Sequence, residues 1–337
     1  MTTRRDIIVI GSSAGGVYAL QQLVSSLPKD FEASIFIVQH LSPAGTSFLP
    51  EILSKHGNLK AVHPKDGEKF ERGCIYIAPP DYHILIERDK ILVKKGPKEN
   101  RFRPSIDALF RSAAYNYGSR VIGVVLTGML DDGTSGMWSV KRLGGTGIIQ
   151  EPEDAQYPAM PKSVLEYVSV DYIKPVSEIT ALLIKLVQED IPDEGYNQKA
   201  ELQKTELNRM KIEIDTAAQR NGFERGIMEI GELSPLTCPE CHGVLIKLEE
   251  GNVVRYRCHT GHSYQAHSLL AGLTESVEMK LYEALKSLEE TVMLLEDSVA
   301  EDDVNSDVLV DLDLSQKIEV ARKRAVKLRE FIFGQAI

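Results

Sequence analysis

Ile7-Ile8-Val9-Ile10-Gly11-Ser12-Ser13-Ala14-Gly15-Gly16 runs branched apolar residues into a turn of small residues, and from Val17 apolar residues recur at helical spacing. A run that is apolar on both faces suits a strand covered on both sides, as in a parallel sheet layered between helices. The pattern repeats outward. Strands are expected at Ile7–Ile10, Ser34–Gln39, Cys74–Ala78, Ile84–Glu87, Ile91–Lys94, Val121–Thr127 and Gly147–Gln150. Helices are expected at Val17–Leu27, Ser47–Lys55, Ser105–Tyr117, Ser135–Leu143 and Pro161–Tyr167. This alternation predicts an α/β domain over residues 1–190, doubly wound about a mostly parallel sheet. Arg88-Asp89 joins two runs as a hairpin, which makes a mixed sheet the expectation.

The chain has 337 residues, 43% of them hydrophobic, enough to bury a core in about two domains of ~150 residues. Asp and Glu number 49 against 39 Lys and Arg, a net charge of −10, which argues against a nucleic-acid surface. No apolar run nears the ~20 residues of a membrane span, and that at the amino terminus is too short for a signal peptide. A cytoplasmic protein without membrane insertion is expected. Four cysteines are too few for a secreted disulfide scaffold.

The turn at 11–16 has two chemical uses. Glycines there could admit a dinucleotide pyrophosphate to a helix amino terminus, but that fold wants a carboxylate after the second strand, where His40 stands. Alternatively, Gly11-x-Ser13-x-Gly15 is a nucleophile elbow. His40 ends the second strand, and Asp132 follows the strand at Val121–Thr127. Ligands of an open α/β sheet sit at carboxyl ends of strands, so these three residues have the parts of a triad: nucleophile, base and orienting carboxylate. The N–H of Ala14 could stabilise an oxyanion. Taken singly, Ser13 could be a helix cap, His40 a core histidine and Asp132-Gly133 a tight turn.

Gly-Ser-Ser-Ala-Gly-Gly at 11–16, Val-Gln-His at 38–40, Tyr-Ile-Ala-Pro-Pro-Asp-Tyr-His at 76–83, Arg-Phe-Arg-Pro-Ser-Ile-Asp at 101–107 and Leu-Thr-Gly-Met-Leu-Asp-Asp-Gly at 126–133 resemble, in order, the CheB-type chemotaxis receptor methylesterases. The resemblance implies hydrolysis of glutamate γ-methyl esters on cytoplasmic regions of chemoreceptor-like proteins, and deamidation of particular glutamines. It matches Ser13 to the nucleophile, His40 to the general base and Asp132 to the carboxylate. Arg101, Arg103 and Met129 become substrate-contact candidates, and His83 a weaker one. Familiar members carry an amino-terminal receiver domain; here the first strand begins by about Asp6, so phosphorylation in cis is not expected. Asp131 stands where the family has Asn, and chemistry alone leaves open which aspartate orients His40. A receptor methyltransferase or a separate response regulator are further partner candidates.

Residues 191–232 read as a linker and a polar helix, Ala200–Ala218. In residues 233–265, Cys238-x-x-Cys241 and Cys258-x-x-x-His262 flank a hairpin about Gly251-Asn252, the pattern of a zinc ribbon holding a structural Zn2+. His262 ranks above His259 and His242 as fourth ligand, and a redox Cys-x-x-Cys leaves Cys258 unexplained. Over residues 266–337, apolar stripes from Leu270 to Val299 and from Ile318 to Ile332 predict a helical hairpin or coiled coil, with Glu301–Asp307 as its turn. A catalytically silent adaptor and a nucleotide-binding oxidoreductase are the competing functions.

Overall fold

The computed structural model describes residues 4–191, 204–302 and 308–334. It has two compact units, Met1–Leu269 and Leu270–Ile337. The first is built on β1 (Ile7–Ser12), β2 (Ser34–Gln39), β3 (Lys60–Val62), β4 (Glu68–Lys69), β5 (Cys74–Ile77), β6 (His83–Glu87), β7 (Lys90–Lys94), β8 (Val121–Val125), β9 (Thr146–Gln150) and β10 (Tyr172–Lys174). Seven of these form one sheet in the order β10-β9-β8-β1-β2-β5-β3, and every pairing in it is parallel.

Helices α1 (Gly16–Ser25), α2 (Leu49–His56), α3 (Ile106–Tyr117), α4 (Thr134–Arg142), α5 (Ala159–Tyr167) and α6 (Val176–Gln188) cover it. Ile8 and Ile10 of β1 pack into the core that holds α1, α2 and α6, whereas Ile7 and Val9 pack into the core of α3, α4 and α5. This two-sided burial explains why the strand carries no polar alternation. β2 and β8 lie on opposite sides of β1, which puts the reversal of strand order, and so the crevice, beside β1.

Three differences from the sequence-based expectation stand out. The hairpin β6–β7 does not make the large sheet mixed; with β4 it forms a separate antiparallel sheet. After Ala78 N–H makes a last bond to Ile37 O at 2.9 Å, Pro79-Pro80 deprives the chain of ladder donors, so it leaves the parallel sheet there. α6 was not anticipated, although its Ile179, Leu183, Leu186 and Val187 close one face of the core. β3 and β10, at three residues each, are too short to carry a periodic signal.

Beyond α6, much of the expected linker lies outside the described residues. The polar helix is α7 (Lys204–Ala217), and it is not a solvated spacer: Met210, Ile212, Glu213, Ile214 and Asp215 are buried. Four antiparallel strands follow, β11 (Glu232–Thr237), β12 (Val244–Glu250), β13 (Val253–Cys258) and β14 (Ser263–Gln265), with Gly251 at φ +60° in the β12–β13 turn.

These pieces meet in a buried ion network. Glu99, Arg111, Glu213, Glu250, Arg255 and Arg257 are each 1% exposed or less. Arg111 bonds Glu99 at 2.9 Å, Arg257 bonds Glu99 and Glu213 at 2.9 Å each, and Arg255 bonds Glu213 and Glu250 at 2.7 Å each. Three carboxylates balance three guanidiniums, which is what lets so many charges leave water together. Burial would push the Glu99 carboxyl up, but Arg111 and Arg257 hold it down at about 2. The antiparallel sheet is thereby fastened to α3 and α7 by polar contacts that an apolar pattern does not reveal.

The second unit is a helical hairpin formed by the later turns of α8 (Ala266–Asp302) and by α9 (Val308–Phe333). Arg322 pairs with Glu296 and Arg329 with Glu289, and Tyr282 meets Phe333 edge-on at 6.2 Å, so the helices run antiparallel. Leu285, Ala321 and Ala325 are buried between them, while Leu270 and Val277 of the expected stripe are exposed. The turn expected at Glu301–Asp307 lies largely outside the described residues. No helix among the described residues is long and apolar enough to cross a membrane.

Candidate active site and metal centre

Ser13 follows β1 directly. Its N–H donates to Thr127 O at 3.0 Å, and its carbonyl accepts from the Gln39 side chain at 2.8 Å and from Gly16 N–H at 2.9 Å. Gly15, at φ +76°, is the N-cap of α1, so Ser13 is not the helix cap. A Cβ on Gly16 would lie 2.2 Å from Gln39 Oε1, and one on Gly128 would lie 2.8 Å from Ser13 Cβ. Small residues are therefore required on both sides of the serine. Ala14 sits in the turn with its carbonyl held by Thr127 Oγ1 at 3.0 Å.

His40 follows β2, and Asp132 lies in the loop between β8 and α4. The structure brings the three together: Ser13 Oγ is 3.2 Å from His40 Nδ1, and His40 Nε2 is 2.9 Å from Asp132 Oδ2. The imidazole is 4% exposed and the carboxylate wholly buried. Phe102 stacks on the imidazole at 3.8 Å, with the rings 9° from parallel, and so fixes its plane. Since an ionised Asp132 only accepts, Nε2 carries the proton and the Nδ1 lone pair faces the serine hydroxyl.

Asp132 sits at the amino terminus of α3. Oδ2 also accepts from Ile106 N–H at 2.8 Å, while Oδ1 accepts from Asn100 Nδ2 at 2.9 Å, Ser105 Oγ at 3.1 Å and Asp107 N–H at 3.2 Å. Burial alone would raise its carboxyl; His40, Asn100 and Ile106 N–H hold it below the usual carboxylate range. Asp107 beside it is pushed up to about 8 by burial and by the charge of Asp132.

Asp131 points elsewhere. Its Oδ2 accepts from His267 and Ser268 N–H, each at 3.1 Å, in the first turn of α8, and Oδ1 is buried with no partner among the described residues. Burial raises this carboxyl from 3.8 to about 6, with the charge of Asp132 adding to the rise. The folded chain thus holds a proton here that the unfolded chain has lost between about pH 4 and 6, so Asp131 lowers stability as pH rises through that window. Asp131→Asn is expected to raise stability at pH 7.5 by about 1–3 kcal/mol, with little change at pH 4. Urea unfolding at both pH values measures this, and equal gains at both would contradict it.

The other candidates are placed differently. Arg103 donates from Nε and Nη2 to Asp81 at 2.9 and 2.6 Å and from Nη1 to Gly96 O at 2.7 Å, which braces the loop before α3. Arg101 has φ +74°, and Met129 is 55% exposed beside Gly128. His83 is buried with both ring nitrogens engaged, by Pro97 O at 2.9 Å and Ser105 N–H at 3.1 Å. It is a framework residue. Cys74 is half-buried on β5. Gln39, Asn100, Phe102 and Thr127 escaped sequence reasoning because their importance is a matter of which partners the fold brings to them.

In the antiparallel sheet, Cys238, Cys241, Cys258 and His262 have their ligand atoms within 4.8 Å of one another. Cys241 Sγ lies 3.6 Å from Cys258 Sγ, and His262 Nδ1 lies 3.7 and 3.6 Å from the sulfurs of Cys238 and Cys258. A tetrahedral ion with ~2.3 Å metal–sulfur bonds has ligand edges of about 3.8 Å, so the four side chains can hold a metal. Thr260 Oγ1, 3.0 and 2.9 Å from Cys241 and Cys258, can donate to the thiolates.

Residues 8–183 match the family model described as CheB methylesterase. A Leptospira interrogans protein is 40% identical over 187 residues, 55% of this chain and 97% of that protein. The protein-glutamate methylesterase/protein-glutamine glutaminase of Thermotoga maritima is 40% identical over 185 residues, 54% of each chain. The chain thus spans nearly all of the former and about half of the latter. The crystal structure of the Thermotoga maritima CheB methylesterase catalytic domain superposes with a TM-score of 0.53 at 40% identity, covering 55% of this chain and 100% of that one.

Proposed function

Because the chain belongs to the CheB methylesterase family, we propose that Ser13, His40 and Asp132 hydrolyse glutamate γ-methyl esters on the cytoplasmic regions of chemoreceptor-like proteins, and deamidate glutamines at equivalent positions. The continuous line from Ser13 Oγ through His40 to Asp132 carries this reading. His40 Nδ1 takes the hydroxyl proton as Oγ attacks the ester carbonyl. Asp132 stabilises the resulting imidazolium, which returns the proton to the departing methoxide and releases methanol. Water then repeats the sequence on the acyl-enzyme. Ala14 N–H is assigned to the oxyanion, and Arg101 and Met129 to the rim that receives the receptor helix, Arg103 being committed to bracing the loop before α3. The place of action is the cytoplasm.

We assign the Cys3His cluster to a structural Zn2+, because all four positions are filled by side chains and none is left for substrate. The intact chain is expected to release methanol from a methyl-esterified receptor fragment, ammonia from the corresponding glutamine fragment, and to contain about one zinc per chain by atomic emission. Cys258→Ser should lose the metal. A metal-replete chain that releases neither product would overturn the esterase reading and leave receptor binding as an adaptor. Zinc-free protein that unfolds no more easily would overturn the structural metal.

A further inference from the structure

Asn100 is 1% exposed and fills all four positions of its side-chain amide, with its two halves facing different parts of the molecule. Nδ2 donates to Asp132 Oδ1 at 2.9 Å and to Asp107 Oδ2 at 2.7 Å. Oδ1 accepts from Gln265 N–H at 3.0 Å and from Ser268 Oγ at 3.2 Å. A main-chain N–H can only donate, so Gln265 fixes which end of the amide faces the carboxylates. The same short segment reaches the site by two further routes. Ser263 O accepts from Asn100 N–H at 2.7 Å, and Gln265 Nε2 donates to Asp131 O at 2.8 Å and to Asp107 Oδ2 at 3.2 Å. Both loops that build the Asp132 environment are therefore tied to residues 263–268, which lie beyond the family match at 8–183.

We propose that Gln265 and Ser268 are positioning residues for the esterase: through Asn100, held by the Gln265 main-chain N–H and the Ser268 hydroxyl, and through the Gln265 side chain on Asp131 O and Asp107, strand β14 and the first turn of α8 hold the Asp132 carboxylate against His40. The inference rests on the esterase reading and extends it to a part of the chain outside the catalytic family domain. Asn100, at φ +50°, adopts a left-handed conformation that Asn tolerates well. Its N–H donor tempers the basicity of Asp132 and fixes the oxygen that faces away from the imidazole. Without that donor the carboxylate shifts, and the charge facing the imidazolium is less compensated. Turnover should fall while the acid limb of the kcat/KM profile moves to higher pH.

The test is methanol release by the full chain and by Asn100→Ala, Asn100→Asp, Gln265→Ala and Ser268→Ala, with kcat, KM and pH profiles and a urea melt for each. Asn100→Asp keeps the shape but replaces the neutral donor with a carboxyl beside Asp107 and Asp132, so it tests the donor together with its lack of charge. Both Asn100 variants should lose about 10- to 100-fold in kcat, with KM changed less than about twofold and the acid limb displaced upward. Ser268→Ala removes the hydroxyl on Asn100, and Gln265→Ala removes the side-chain bonds to Asp131 O and Asp107 while keeping its main-chain N–H on Asn100; each should move both quantities in the same direction by about 3- to 10-fold in kcat. These two also keep the test sharp should Asn100→Ala not fold. Folded Ser268→Ala and Gln265→Ala variants with the parent kcat and pH profile would overturn the proposal, as would variants that are merely less stable but normal per folded molecule. An inactive parent chain would instead strike the esterase reading itself.

Discussion

Ser13→Ala is expected to lower kcat for methanol release by about 10⁶-fold while leaving the fold intact. The side chain of Ser13 is engaged by His40 at 3.2 Å, whereas its turn is held by main-chain bonds to Thr127 and Gly16 and by the Gln39 amide to its carbonyl, all of which alanine retains. Stability should therefore stay within about 0.5 kcal/mol of the parent. The loss is so large because no other group can form the acyl-enzyme, and the base and carboxylate have no function without it. Single-turnover methanol release with matched urea melts measures both halves. Retention of even a hundredth of the parent rate would mean that water is the direct nucleophile or that another group carries the chemistry.

Asp132→Asn should lower kcat by about 10⁴-fold, equivalent to about 5.5 kcal/mol of transition-state stabilisation at 1.36 kcal/mol per tenfold. The reason lies in the donors around it. Three point at Oδ1, from Asn100, Ser105 and Asp107, and two at Oδ2, from Ile106 and His40. An asparagine has one acceptor, which the three-donor side will claim, so its NH2 must face Ile106 N–H and the imidazole. His40 then accepts at Nε2 and carries its proton at Nδ1, aimed at Ser13, where it cannot act as a base. KM should change little, because the substrate does not reach a buried carboxylate. A loss below about tenfold would show that the tautomer is not set by Asp132.

That aspartate also shows how unevenly function is written along a sequence. Ser13, His40 and Asp132 were legible because each follows a strand whose apolar run is plain, and a parallel sheet brings carboxyl ends together. Chemistry alone did not choose between Asp131 and Asp132; the family resemblance favoured Asp132. The two are neighbours with one side-chain chemistry, and only the fold aims one at the imidazole and the other at the amino terminus of α8. The Cys/His cluster was legible for a different reason: a tight turn brings two potential ligands together through local geometry alone, so Cys238-x-x-Cys241 and Cys258-x-x-x-His262 declare themselves.

Sequence alone determined the α/β architecture, the small-residue turn at Ser13 and the Cys/His cluster, because strand burial, turn sterics and ligand spacing act over a few residues. Tertiary structure decided that the hairpin β6–β7 stands apart from the large sheet, that α7 is buried rather than solvated, and that β14 reaches the triad through Asn100. The last two depend on polar groups that find partners far away in the chain. Glu99 and Arg257, 158 residues apart, give no sign of their pairing until the fold brings them together. Burial of a charge is stable only once its partners are in place, and pairing across more than a hundred residues leaves no periodic trace in the sequence.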